Sequence, residues 1–378
     1  MRSMYLFIIV FGLLFTLSCG DIPISEEQKE KKEDLIEIVK EKDEKFRERI
    51  KELLTEWEEE TGIAIEEEKF SAVIFADGNG LIVNVPLELQ ELPTEEQVAK
   101  GMDLFMTYMN LPEGADLQSG FYIVGFYQDQ TGNWKAVFKD IYGNVVYETE
   151  ATIETHKPRN NVYPTIEVDE FDFLVIINGC IDSLRGKHIK AKINMCQPQT
   201  KSSINSFITH GCTPPYPPIP ENPLPLKMVN AGKEFFSEIL KLDLGEGQVD
   251  TAIIGSSSEN TLVNRPRIVT PDGTTVDIIL FQINKEEGYS PLETDIYTLE
   301  IRKEGETYKG VLKDSKGNVV ENAIIDIQVE PYYGDAEWQK KIPLDIVLGD
   351  GCIGGSMKFK TKYGIVKISL KVCLENAA

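Results

Sequence analysis

The sequence predicts a mainly β protein: two related antiparallel β-sandwich domains, preceded by an N-terminal charged helix and accompanied by short accessory helices. Three observations carry this. Short runs of alternating apolar and polar residues, broken by Gly, Asp and Asn, fill most of the chain after Phe70, the pattern of antiparallel strands with one buried face. An octapeptide recurs 174 residues after its first appearance. Between the copies lies a proline-rich stretch without periodicity. At 378 residues the chain is long for one domain and fits two, at roughly 150 residues each.

Residues 1–18 have the anatomy of a signal peptide: Arg2, an apolar run from Met4 to Phe15, then Thr16-Leu17-Ser18. The run is too short to span a bilayer, which takes about 20 apolar residues. Cys19, directly after Ser18, resembles the bacterial lipobox. That resemblance implies cleavage before Cys19, a diacylglycerol on its sulfur, and an exported lipoprotein held to the cell membrane or outer membrane, facing periplasm or cell surface. The lipobox prefers Leu where Thr16 stands and a small residue where Leu17 stands; Thr16 and Ser18 also suit an ordinary signal peptidase, which releases an unanchored product.

Residues 19–62 read as a lipid-anchored, acidic helical stalk. Leu35, Val39, Phe46, Ile50, Leu53 and Trp57 fall at intervals of three, four and seven and form one narrow stripe. Asp43 interrupts the stripe, which argues against a long coiled coil and for a helix whose second half packs on its own domain. Gly62 ends it.

The first sandwich is expected over 63–197. One helix interrupts it: Thr94 and Gln97 make a capping box, Val98, Met102, Phe105, Met106 and Met109 form an apolar face, and Pro112 bars continuation. A linker follows over 198–226, where Pro214, Pro215, Pro217, Pro218, Pro220, Pro223 and Pro225 impose extended, semi-rigid geometry. The second sandwich, 227–378, opens with a short helix carrying Phe235, Phe236, Ile239 and Leu240.

The repeat is the most informative feature. Lys139-Asp140-Ile141-Tyr142-Gly143-Asn144-Val145-Val146 returns as Lys313-Asp314-Ser315-Lys316-Gly317-Asn318-Val319-Val320, with six of eight residues identical. Asp140 and Asp314 open a turn by accepting backbone N–H bonds, and Gly143 and Gly317 supply its left-handed residue. Asn178-Gly179-Cys180-Ile181 returns as Asp350-Gly351-Cys352-Ile353, and the strand ending at Cys196 is matched by Ile368 to Cys373. Around the turns, Tyr122, Val124 and Phe126 have counterparts in Tyr297, Leu299 and Ile301. Each half reads as about seven short strands. The string Val311 to Val320 resembles bacterial extracellular immunoglobulin-like and carboxypeptidase-regulatory-like modules, which implies a binding, spacing or assembly role.

In an oxidising envelope, cysteines are read first as disulfides. Cys352 with Cys373, and Cys180 with Cys196, flank hairpins and are the expected pairs. Cys212 is left over, which points to an intermolecular bridge, a free thiol or an error in the pairing. His156, His188 and His210 are the only histidines, and none lies at metal-binding spacing from another. Asp77-Gly78-Asn79-Gly80 and Asp272-Gly273-Thr274 lack a twelve-residue calcium loop and read as hairpin turns. No nucleophile elbow, phosphate loop or dinucleotide fingerprint is present.

With 39 basic against 62 acidic side chains and a formal charge of −23, the surface repels phosphate backbones, so nucleic acid is not expected as a partner. These features together predict a non-enzymatic envelope lipoprotein without metal or cofactor, membrane-held and carrying a protein or polysaccharide partner. Two alternatives stand beside it. A carbohydrate-binding surface protein would line up aromatics such as Tyr127, Trp134 and Tyr142; an envelope hydrolase would use a carboxylate pair hidden among the 62 acids.

Overall fold

Helix α1, Glu26–Thr61, runs to the predicted stop. Gly62 takes φ 69° and donates its N–H to the Glu58 carbonyl at 2.7 Å, a left-handed cap that only glycine adopts freely. The computed structural model describes residues 26–74, 80–89, 91–111, 115–155, 165–169, 174–181, 186–194, 223–247, 249, 252–257, 260–269, 275–284, 290–305, 307–330, 346–349, 352–361 and 364–373.

After α1 come β1 (Ser71–Ile74), β2 (Leu81–Pro86), the short α2 (Glu95–Ala99), β3 (Met102–Asn110), β4 (Gly120–Gln128), β5 (Trp134–Lys139), β6 (Val145–Thr155), β7 (Thr165–Asp169), β8 (Leu174–Ile181) and β9 (Lys187–Asn194). Helix α3 (Pro223–Leu240) opens the second half, followed by β10 (Ile253–Ser257), β11 (Asn260–Ile268), β12 (Thr275–Asn284), β13 (Asp295–Glu304), β14 (Thr307–Lys313), β15 (Ala323–Glu330), β16 (Ile346–Gly349), β17 (Cys352–Thr361) and β18 (Gly364–Cys373). Among the described residues each half is therefore a long helix followed by nine strands, with the short α2 between β2 and β3 in the first.

Every ladder is antiparallel, and the ladders form two runs. One reads β6-β5-β4-β3-β2-β1-β10-β11-β12-β13-β14. The other reads β6-β9-β8-β7-β16-β17-β18-β15. Strand β6 serves both, pairing β5 through its first part and β9 through Ala151 to Thr155. The two sheets face each other across one core that takes Val73, Ile82, Phe126 and Leu299 from the first and Ile177, Ile189, Val366 and Val372 from the second. Helices α1 and α3 cover the other face of the first sheet, over Ile74, Val83, Ile254 and Val263.

Sequence alone led to two separate sandwiches; the strands instead share both sheets. Strand β1 pairs β10, Ser71 with Ser257 through Ile74 with Ile254, and β7 pairs β16, Val168 with Ile346. In both joins the same strand of each half meets its counterpart head to tail, the relation a two-fold axis generates. The helices obey it too: Phe46 stacks on Phe235 at 4.8 Å, Lys42 meets Glu238 at 2.6 Å and Lys227 meets Glu56 at 2.5 Å, so α1 and α3 run antiparallel. Short central strands with unsatisfied edges explain the outcome, since joining them removes the edges from solvent.

The expected stalk thus lies along the sheet. Its stripe of Val39, Phe46, Ile50, Leu53 and Trp57 is buried, and near its start Lys32 donates to the Ser315 carbonyl at 2.9 Å. Burial lowers the Lys32 pKa against the opposing pull of Asp295 and Asp314. The spacer also ends earlier than expected, because Pro223 and Pro225 form the first turn of α3, where a missing N–H breaks no helical bond.

The predicted helix over 94–109 splits. Thr94 and Gln97 make the reciprocal capping box, but Gly101, at φ 101°, closes the turn and Met102–Asn110 is strand β3. Both faces of β3 are buried, one by the helices and one by the second sheet, so its apolar residues lack the period of two that marks an ordinary strand.

The turn repeat is reproduced bond for bond. Asp140 accepts from the Tyr142 and Asn144 N–H groups at 2.9 and 2.8 Å, and Asp314 accepts from Lys316 and Asn318 at 2.9 and 2.8 Å. Asp129 repeats the pattern with Thr131 and Asn133. A second pair of matching bonds had no flag in the sequence: the Ser119 hydroxyl accepts from Leu111 N–H and the Thr294 hydroxyl from Asn284 N–H, both at 3.0 Å. Nearby, the Tyr122 hydroxyl donates to the Gln118 carbonyl and that of Tyr297 to the Glu293 carbonyl, at 2.7 and 3.2 Å. Burial raises the pKa of both phenols, that of Tyr122 to about 12.

One marker does not hold. Cys352 begins β17, whereas Cys180 lies at the turn end of β8, opposite His188. Cys180 and Cys352 therefore occupy opposite ends of equivalent strands, and the likeness around them is not a structural equivalence.

Gly143 and Gly317 sit at φ 85° and 89°. Gly143→Ala and Gly317→Ala are each expected to lower stability by about 1 kcal/mol; urea unfolding midpoints identical to the parent would contradict the turn geometry.

Candidate functional site

The join between the halves carries the most unusual chemistry of the described residues. On the inner face of the first sheet, alternation from the core residues Met109, Ile82, Val73, Ile253, Leu262 and Leu280 turns Thr107, Asn84, Ser71, Ser257, Asn260, Asn264, Gln282 and Asn284 toward the second sheet. Much of this set forms one row. Thr107 is opposite Asn84, Asn84 opposite Ser71, and Ser71 opposite Ser257. The Ser257 hydroxyl joins Asn260 backbone groups at 3.2 Å, and Asn260 is opposite Asn284. The row crosses the join and carries no charged side chain.

Its bonds are partly made. Thr107 Oγ1 donates to Asn84 Oδ1 at 2.9 Å, Gln282 Nε2 to Asn284 Oδ1 at 2.7 Å, and Asn284 Nδ2 to the Leu292 carbonyl at 2.5 Å. Asn84 Nδ2, Asn260 Oδ1 and Gln282 Oε1 are buried without a partner. A buried amide group in that state costs about 1–3 kcal/mol, so a row of this kind is not a packing optimum.

On the opposite face of the same strands, α1 inserts the charged pair that interrupted its stripe. Asp43 and Arg47 are each 1% exposed, with Nε donating to Asp43 Oδ2 at 2.6 Å. Asp43 Oδ1 accepts from Thr261 Oγ1 at 2.6 Å and Ser256 Oγ at 3.2 Å. Arg47 also donates to the Ser257 carbonyl and to Thr261 Oγ1. Burial lowers the Arg47 pKa, opposed by the attraction of Asp43. The pair belongs to the first helix and its partners to the second half, so it ties the two together.

A second buried guanidinium closes the end of α3. Arg265, from β11, donates to the carbonyls of Ile239, Leu242 and Leu240 at 2.8, 3.3 and 3.4 Å. These are carbonyls a helix end leaves open, and a cation there faces the negative end of the helix dipole. Burial brings the Arg265 pKa down to about 10. Arg267 beside it bonds the Leu244 carbonyl at 2.9 Å and Asp277 at 2.7 Å. Asp43 and Arg47 are only four positions apart, but the other groups that they and Arg265 bond lie 23 to 218 positions away, so nothing in the sequence marked these sites.

The residues singled out from sequence are dispersed. Asp140 with Gly143, and Asp314 with Gly317, occupy exposed turns; hydrogen bonds from the side chain and backbone of Asn144 hold the Asp140 carboxyl below its usual range, and the Asn318 side chain donates to Asp314 in the same way. Cys373 is disulfide-bonded, and Cys352 is the residue directly across the ladder from it. Cys180 faces His188 instead, while Asn194 lies at the far end of that hairpin opposite Leu174. Six residues of strand separate Leu174 from Cys180, about 20 Å. Cys196, the partner expected for Cys180, lies outside the described residues. Cys19, Cys212, His156, His210, Asp77 and Asp272 also lie outside the described residues.

The aromatic candidates do not share a face. Tyr127 is out of phase with core residues Val124 and Phe126, and its hydroxyl bonds Glu148 at 2.9 Å; Trp134 packs against the inter-sheet core with Ala136 and Phe138. Tyr142 is 84% exposed at the turn tip. Among the described residues no group of three His, Cys, Asp or Glu is placed to hold a metal ion, and no helix is long and apolar enough to cross a membrane.

Removing one member of the buried pair, by Asp43→Ala or Arg47→Ala, is expected to cost about 3–5 kcal/mol by stranding the other charge. The double change Asp43→Leu with Arg47→Met should cost much less. Denaturant titration measures both, and equal losses would show that the pair is not what the single variants disturb. Comparison with known protein families, with characterised proteins and with solved structures finds no match to this chain.

Proposed function

We propose that this chain is a non-enzymatic lipoprotein of the bacterial envelope, anchored through Cys19 and acting as a binding or assembly module for a second envelope protein. Its two halves are duplicated β-sandwich units fused into one body. The observation that carries the binding role is the tip of the first repeat turn. Ile141, Tyr142, Val145 and Val146 are all exposed, Tyr142 most of all, and four large apolar side chains within six residues are seldom left to water without a partner. The matching turn of the second half has Ser315 and Lys316 in place of Ile141 and Tyr142 and is engaged by Lys32 of α1. Divergence of one tip with retention of its turn favours a role specific to the first. A protein partner is favoured over polysaccharide because Tyr127 and Trp134 point to opposite faces and form no stacking platform.

Two experiments test this. A photo-crosslinking residue at Tyr142 is expected to trap one envelope protein, and the same residue at Lys316 to trap none; equal labelling from both positions, or none from Tyr142, would refute the tip as the docking element. Metabolic labelling with an alkyne fatty acid is expected to mark the wild-type chain and not Cys19→Ala, which should leave the membrane fraction. An unlabelled wild type would remove the anchor.

The pairing of Cys352 with Cys373 is part of the same proposal, supported by their place across one ladder. Non-reducing peptide mapping should recover the two in one linked fragment. Cys373→Ala is expected to lower stability by about 3 kcal/mol, the closure entropy of a loop of this size.

A further inference from the structure

We infer that the polar row between the two sheets is a binding site for internal water that spans the join of the halves. Asn84 and Gln282 are fully buried, one with an unused donor at Nδ2 and the other with an unused acceptor at Oε1. Asn260 Oδ1 adds a second unused acceptor. Asn84 on β2 and Gln282 on β12 are separated by β1, β10 and β11, about 19 Å, so the row takes several small molecules, and one species that fits at every point of it must both give and take hydrogen bonds. An anion meets the amide oxygens and a cation meets the Asn84 amide hydrogens, so neither matches the set, and no charged side chain of the row balances one. The occupant must also be small, because Val73, Ile82, Leu262, Met109 and Leu280 pack on the same face around these groups. Water fulfils all three conditions, and buried water is held where two to four polar partners converge.

The arrangement has a consequence for the join. Strands β1 and β10 are short and meet over Ser71 to Ile74 and Ile254 to Ser257, and their inner-face residues at one end are the serines of the row. Water held at Asn84 on one side of these serines and at Asn260 on the other satisfies polar side chains of both halves without requiring the close complementarity that apolar packing demands. The row therefore serves as an adaptable seam in an otherwise dry core.

Water oxygen-17 magnetic relaxation dispersion on the exported, purified protein tests this, with Asn84→Leu and Gln282→Met as apolar variants of similar shape. The wild type is expected to give the signal of long-lived internal water, and each variant to lose at least one water of it. Unchanged dispersion in a folded variant whose melting temperature rises would mean a dry row relieved of an unpaired amide, and would overturn the inference. So would a small organic molecule released on denaturation in stoichiometric amount. Should Asn84→Leu fail to fold, a high-resolution crystal structure of the wild type decides: ordered water within hydrogen-bond distance of Asn84 Nδ2 is expected, and none there refutes it.

Discussion

The architecture depends on two short antiparallel joins, β1 with β10 and β7 with β16. Each strand contributes only a few residues to its join, yet without them both sheets would end in open edges at the middle of the molecule. A free edge exposes a row of N–H and C=O groups that seek any partner. Supplying that partner from the other half satisfies the groups and fixes the two-fold relation between the copies. The helices, the inter-sheet core and the placement of the turns all follow from that relation.

The helical layer reinforces the same joins from outside. Helix α1 carries Asp43 and Arg47 across the boundary to Ser256, Ser257 and Thr261, and α3 crosses α1 through Phe235 and Glu238. A buried ion pair adds little net stability over apolar packing, but it is exacting about geometry. Its location fits a device that sets how the first helix seats on the second half. Arg265 performs a related service at the end of α3, turning helix carbonyls that would otherwise be buried unpaired into bonded ones.

Symmetry in the backbone is accompanied by asymmetry in side chains, and one such difference falls at the tips of the repeat turns. The turns at Asp140 and Asp314 have the same internal bonds, but the first carries Ile141 and Tyr142 exposed at its tip, while the second has Ser315 and Lys316 there and is bonded by Lys32 of α1. Conserving the scaffold of a turn while changing its surface leaves stability untouched and alters what the turn can meet.

Much of this was legible in the residues. The stop of α1 at Gly62, the capping box at Thr94, the β character and the Asp-Gly-Asn turns are local, because each is set by groups within four or five positions. The failures arise where the outcome depends on segments far apart in the chain. β3 reads as a helix because the helices cover one of its faces and the second sheet the other, erasing its alternation. Asp43 reads as a break in a stripe because the hydroxyls of Ser256 and Thr261 that it meets lie more than 200 residues ahead. The likeness between the sequences around Cys180 and Cys352 misleads because four residues do not specify which end of a strand they occupy. What the sequence determined by itself was the repeated unit and its turns, which need only neighbouring atoms. How the two units join, which strands lose their edges and which polar groups end up between the sheets were decided by tertiary structure, since pairing partners and burial exist only once distant segments meet.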